Sequence, residues 1–212
     1  MNIEKSINKL IIISSPSGAG KTTICKFLLK KMKNIELSIS YTTRYKRNNE
    51  KDGRDYFFVD KKKFINLKKK NFFIESASIF NYCYGSPYVN INKAFNKNNN
   101  ILFDIDWQGA KKIRNNFDNN QIIDFFILPP NKKVLKERLL NRHNGQEKLI
   151  EKRMKKFNEE VSHWNEYNYV VVNDDLNSCY KKILKLIMLE KDGIREKQNI
   201  SFVEDKISEL NS

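Results

Sequence analysis

The residues best suited to chemistry form the run Ser15-Pro16-Ser17-Gly18-Ala19-Gly20-Lys21-Thr22, followed by Thr23. A polyphosphate is held by backbone N–H groups that point inward, with a helix N-terminus behind them. Gly18 and Gly20 permit that backbone path. Lys21 then reaches the β and γ phosphates, and the Thr22 hydroxyl meets magnesium. The usual spacing is G-x-x-x-x-G-K-[ST], and Ser15 stands at its first glycine, so the match is incomplete. Context supports it. The apolar run Leu10 to Ile13 precedes the loop, a helical pattern follows, and two of the seven glycines in the chain lie within it. An ordinary strand-to-helix turn is the competing reading.

Two further clusters carry chemistry. Asp104 ends the apolar run that begins at Ile101, where a phosphate-loop enzyme needs a carboxylate to hold magnesium, partly through water. Asp106 is two residues on and points to the same side. A D-x-D after an apolar run is also good helix-capping or loop chemistry. The second cluster is Ser40-Tyr41-Thr42-Thr43-Arg44-Tyr45-Lys46-Arg47 with Glu50 and Tyr56. Two arginines three apart among hydroxyls can grip a second phosphate. A solvated basic loop is the alternative. Arginine itself is informative, because only 8 of the 40 basic residues are Arg. A planar fork grips phosphate in two bonds where Lys offers a point charge. Arg44 with Arg47, and Arg138 with Arg142, lie close together.

These residues need a scaffold. The chain has 212 residues, enough for one large domain or a core with insertions. The net charge of +15 admits a nucleic-acid or lipid partner. The lysines are scattered, however, and the runs 61–63 and 68–70 read as a solvated helix face. We therefore expect no nucleic-acid partner. Cys25, Cys83 and Cys179 are odd in number and in no metal spacing, which suits a reduced, cytoplasmic protein. The first nine residues read as no signal peptide, and no apolar run near the start approaches a membrane span.

Along the chain, Leu10–Ser14 reads as a buried strand and 21–33 as a helix. Residues 36–43 alternate, with Leu37, Ile39 and Tyr41 on one face and Glu36, Ser38 and Ser40 on the other, as in a half-exposed strand. A polar loop spans 45–55. Short strands follow at 56–59, 72–77 and 80–84, with helices at 64–70 and 87–97. Buried strands at 101–105, 122–128 and 169–172 then alternate with helices at 107–117, 132–142, 147–167 and 176–189. The tail after Lys191 is polar and weakly patterned. Buried strands alternating with helices imply an α/β fold with a parallel sheet covered on both faces. The stretch 36–98 breaks that rhythm and reads as a small α+β insertion.

At this point the sequence resembles the guanylate kinase family, from about Lys9 to Glu190. The marks are SPSGAGKTT, SISYTTR with Arg47 and Glu50, DYFFV, FIESA, YGS, LFDIDWQGA, FILPP, the spacing of Arg142 and Arg153, and VVNDD. The resemblance implies the fold of P-loop nucleoside-monophosphate kinases. The core would be residues 1–35 and 99–190, with a helical lid at about 136–160. The GMP-binding insertion would be 36–98, and 191–212 a polar tail. It implies phosphoryl transfer from ATP to GMP, with dGMP left open, Mg2+ as cofactor, and a monomer or homodimer. Ser40 and Glu75 would read guanine, with Asp106 a third contact. Arg44, Arg47, Tyr56 and Tyr84 would hold the GMP phosphate, and Glu50, Gly85 and Ser86 would line that pocket. Lys21, Arg47, Arg138, Arg142 and Arg153 would be the catalytic residues, with Arg138, Arg142 and Arg153 reaching the ATP phosphates, and Asn173 would lie near adenine. Ser15 through Thr23 would bind ATP, and Thr22 and Asp104 would hold the metal. The chain departs from the family pattern at Cys83, at Lys46 and in the lid loop Arg142-His143-Asn144-Gly145-Gln146.

Three other readings stay open on residues alone. A related kinase could use another acceptor, against which Ser40 with Glu75 speaks. A non-catalytic module of the same fold would lack the phosphate loop that this chain keeps at Lys21 and Thr22. A basic nucleic-acid binder would need ordered aromatics among its basic residues, and none are apparent.

Overall fold

The structure, a computed structural model, describes residues 8–142 and 147–211. It divides into two compact units. One comprises Lys33–Ile122 with the chain up to Ile11, the other Ile12–Met32 with Ile123 onward. Strand β1 (Leu10–Ser14) is shared between them and wholly buried, as its LIIIS sequence requires.

In the first unit, β2 (Ile35–Leu37) pairs in parallel with β7 (Asn100–Asp104), Ile35 opposite Asn100 and Leu37 opposite Leu102. Between them runs a second sheet in the order β4-β3-β6-β5. Its strands are β3 (Tyr41–Thr42), β4 (Phe57–Phe58), β5 (Phe73–Ile79) and β6 (Tyr82–Pro87). Helices α2 (Lys61–Lys69), α3 (Tyr88–Asn96) and α4 (Trp107–Arg114) complete the unit. The stretch 36–43 is not one strand. Ser38 N–H donates to Leu102 C=O at 2.8 Å and ends the run beside β7, while Tyr41 starts the other sheet. The expected facing also inverts, since Ser38 and Ser40 are buried. Their hydroxyls are bonded inside, so the alternation of polarity does not track exposure. Strands β5 and β6 form a hairpin that turns at Phe80 and Asn81, both at positive φ. Phe80 thus belongs to the turn and not to the following strand.

The second unit holds α1 (Lys21–Lys31) and β8 (Ile122–Leu128), whose seven residues are all buried. It continues with α5 (Lys132–Arg142), α6 (Glu147–Val161), β9 (Tyr169–Val172) and α7 (Leu176–Lys191). Strands β8 and β9 are parallel, Phe125 opposite Tyr169 and Leu128 opposite Val172. Helix α6 stops six residues earlier than its pattern suggests, with a separate 3-10 turn at Trp164–Glu166. The tail is not featureless either. Helix α8 (Ile200–Asn211) buries Val203 and Leu210, two residues spaced by seven on one face. The larger sheet runs β2-β7-β1 in the first unit and β1-β8-β9 in the second, so β9 is an edge strand. Helices flank this parallel sheet. Among the described residues no helix is long and apolar enough to cross a membrane.

Candidate active site

In the second unit the loop after β1 takes the path an anion cradle needs. Gly18 and Gly20 have φ of 97° and 102°, and Gly20 caps the N-terminus of α1 with its carbonyl accepting from Thr23 and Ile24 N–H. Both glycines are also closely packed. A Cβ on Gly18 would lie 2.9 Å from Leu135 Cδ1, and one on Gly20 2.3 Å from Asn173 Nδ2. Asn173 is buried and donates to Ala19 C=O at 2.7 Å. Arg138 donates to Asn173 C=O at 3.2 Å and to Ala19 C=O at 3.5 Å. Ser15 turns its hydroxyl onto Pro16 C=O, and Ala19 N–H closes a turn onto the same carbonyl. Lys21 and the exposed Thr22 and Thr23 open α1. Ser17 is gripped twice by α6. Arg153 donates to its hydroxyl, and its N–H donates to Glu160 Oε2 at 2.9 Å. Arg142 is the last residue of α5, and its side chain lies outside the described residues, as do His143 to Gln146.

In the first unit, Glu75 is 3% exposed on β5, opposite Ser86 of β6. Ser86 Oγ donates to Glu75 Oε1 at 2.7 Å, and Ser40 Oγ lies 3.0 Å from Ser86 Oγ. A hydroxyl has one proton. With that of Ser86 given to the carboxylate, Ser40 must donate to Ser86, and its lone pairs stay available as acceptors. A Cβ on Gly109 would come within 2.8 Å of Glu75 Oε2, so only glycine lets α4 approach the carboxylate. Burial pushes the Glu75 carboxyl up to about 7. The Ser86 hydroxyl pulls it down and the Asp106 charge pushes it up again. Asp106 caps α4, accepting from Gly109 N–H at 3.0 Å and from Gln108 Nε2 at 3.1 Å. Capping and site lining are thus one arrangement there.

Close by in the same unit, Arg44 meets Glu50 in a fork, with bonds of 3.0 and 2.7 Å. Burial works to lower the Arg44 guanidinium, but its bonds to Glu50 and the Tyr84 hydroxyl together outweigh this and hold it above its ordinary value. Burial likewise works to raise Glu50, and Arg44 with the Arg47 N–H holds it below the usual carboxylate range. The guanidinium lies 5.4 Å over the Tyr56 ring, and Tyr56 stands edge-on to Tyr84 at 6.0 Å. Arg47 is more exposed, 3.8 Å from Glu50. Gly85 lines the sheet where a Cβ would strike the Phe73 ring at 2.9 Å.

The family model for guanylate kinase matches residues 7–190. The chain belongs to the guanylate kinase family. It is 44% identical to the guanylate kinase of Rickettsia bellii over 187 residues, 88% of this chain and 97% of that one. It is 41% identical to that of Rhodopseudomonas palustris over 189 residues, 89% and 85% of the two chains. The crystal structure of guanylate kinase from Anaplasma phagocytophilum superposes with a TM-score of 0.72 at 33% identity, covering 88% of this chain and 87% of that one.

Within this guanylate kinase family chain, Ser40, Glu75, Ser86 and Asp106 gather in one unit with Arg44, Arg47, Glu50, Tyr56 and Tyr84. The phosphate loop gathers with Arg138, Arg153 and Asn173 in the other. Two of these residues also bond within the protein. Asn173 turns its amide onto the loop's own backbone, and the helix cap after it is Asp175, which accepts from Ser178 N–H at 2.8 Å. Glu50 is engaged by Arg44, so it organises the arginine. Sequence reading passed over Glu160. Its signal was available, because it lies seven residues after Arg153 and therefore on the same face of α6.

Proposed function

We propose that this protein is a guanylate kinase, transferring the γ-phosphoryl group of ATP to the phosphate of GMP to give ADP and GDP. The observation that carries this is the buried Glu75 carboxylate beside the paired arginines. Guanine presents donors at N1 and N2, which one carboxylate accepts together. Adenine lacks that donor pair and would leave the buried Glu75 with no partner but Ser86, the kind of mismatch a site rejects by roughly 10⁴-fold. Ser40 and Asp106 offer further acceptors. Arg44, Arg47, Tyr56 and Tyr84 hold the GMP phosphate, and Glu50 keeps Arg44 aimed.

On the donor side, backbone N–H groups of the loop and of the first turn of α1 receive the ATP phosphates, with Lys21 on the β and γ groups. An oxygen of the GMP phosphate attacks the γ phosphorus in line, and the bond to the β–γ bridging oxygen breaks. No protein nucleophile is needed, so catalysis is positioning and charge neutralisation. Arg153 and Arg142, in the segment 136–160 that we assign as the lid, take up charge on the moving group, and Arg138 backs the loop. Lid closure keeps water from competing with GMP.

Magnesium suits the donors present. The exposed Thr22 hydroxyl at the start of α1 and the half-buried Asp104 carboxylate ending β7 are hard oxygens. This ion takes few protein ligands when phosphates and water supply the rest. When bound it neutralises β and γ oxygens. We place the enzyme in the cytoplasm, in keeping with Cys25 and Cys179 as buried thiols and Cys83 as a half-exposed one.

An ADP-release assay over GMP, AMP, CMP and UMP tests the reading. Turnover with GMP is expected, with AMP about 10⁴-fold poorer. Comparable use of AMP would overturn the role of Glu75. Lys21→Ala should cut turnover by about 10³-fold or more while GMP still binds.

A further inference from the structure

The match to the guanylate kinase family ends at residue 190, yet the chain beyond it is bonded into the nucleotide-binding unit. Strand β9 is the edge of its sheet. Asn173 N–H donates to Leu128 C=O, so alternate residues of this stretch face β8, and Val170 faces the other way. Val170 is buried, and an unpaired buried amide is disfavoured. Gln198 supplies what a neighbouring strand would. Its Nε2 donates to Val170 C=O at 2.7 Å, and its Oε1 accepts from Val170 N–H at 3.1 Å. The segment leading to Gln198 is tied down. Arg195 donates to both oxygens of the buried Glu190, at 2.6 and 3.2 Å, and Tyr169 OH donates to the same carboxylate at 2.8 Å. Further on, Lys132 Nζ donates to Asn211 C=O at 3.2 Å.

The clamp has a functional address. Three residues after Val170, Asn173 holds Ala19 C=O and fills the space beside Gly20 that a Cβ would need. A shift of β9 is therefore felt at the phosphate loop. We propose that the C-terminal segment is a positioning element for nucleotide binding, in which Gln198 stands in for a missing strand partner on β9 and so fixes Asn173 against the loop. This rests on the assignment of that loop to ATP. The acceptor groups belong to the other unit, so the effect falls on ATP and spares GMP.

Calorimetric titration of the full chain with ATP and, separately, GMP tests this in wild type and Gln198→Ala. The expected result is a three- to tenfold weaker Kd for ATP, with the Kd for GMP within twofold. Gln198→Glu keeps the acceptor for Val170 N–H but sets a carboxylate oxygen against Val170 C=O, so it should weaken ATP at least as much, and it serves if the alanine variant folds poorly. Unchanged ATP affinity in both variants overturns the proposal, as does equal weakening of ATP and GMP, which would mean general loosening. A wild-type chain that binds GMP but not ATP would overturn the ATP assignment itself.

Discussion

Replacing Glu75 with Gln should make the ligand-free protein more stable and the enzyme worse. Burial drives the Glu75 carboxyl from an ordinary 4.5 up to about 7. Between those values the folded chain holds a proton that the unfolded chain has released. Stability is therefore fully present below pH 4.5 and lost as pH rises through about 7. A gap of about 2.5 pH units, at about 1.4 kcal/mol per unit, amounts to about 3 kcal/mol. Glutamine has the same shape without the charge. Glu75→Gln should exceed wild type at pH 8 by up to about 3 kcal/mol and match it near pH 4.5. GMP binding should move the other way. An amide turns an N–H toward a guanine donor and forfeits a charged hydrogen bond, about 1.5–3 kcal/mol or about 10- to 100-fold in Kd. In wild type the proton must leave before guanine binds, so Kd should rise about tenfold per pH unit below 7. The variant should keep only the titration of the GMP phosphate itself, near pH 6. Urea unfolding and calorimetric GMP titration from pH 5 to 8.5 measure both. A variant no more stable than wild type at pH 8, or one with the wild-type pH profile of GMP binding, would refute the reasoning.

Arg44→Lys replaces the fork on Glu50 with a single bond, and steady-state kinetics should show the GMP KM up by about tenfold with the ATP KM unchanged. Gly20→Ala puts a Cβ 2.3 Å from Asn173 Nδ2 at φ 102°, so both ATP affinity and melting temperature should fall sharply. Gly53→Ala is the control. It also has positive φ (71°), but its nearest atom is 3.6 Å away, so urea unfolding should show only about 1–2 kcal/mol of backbone strain.

Much of the site is legible because its chemistry is local. The loop from Ser15 to Thr23 follows an apolar strand and opens a helix, and those three features are neighbours in sequence. Strand β8 is readable to the residue because six apolar residues, with Asp124 alone among them, run up to Pro129-Pro130. The Ser40 region is less so. A period of two places Ser38 and Ser40 outside, yet they lie inside, because Asn90, 52 positions on, donates to Ser38 Oγ and Ser86, 46 positions on, pairs with Ser40 Oγ.

The sequence by itself determined the reaction class, the two clusters we assign to it and the alternation of strand with helix, since these depend on residue type and short spacing. Tertiary structure alone decided how particular groups are used. Glu75 acquires its raised proton affinity only when β5, β6 and α4 close over it. Asn173 is bound to the loop and not to the helix after it, because Ala19, 154 positions away, is where the chain's fold delivers an acceptor. The tail is tied to the sheet edge because Val170 has unpaired backbone there and the Gln198 side chain reaches it. Burial and long-range pairing depend on the whole chain, so no spacing along it could reveal them.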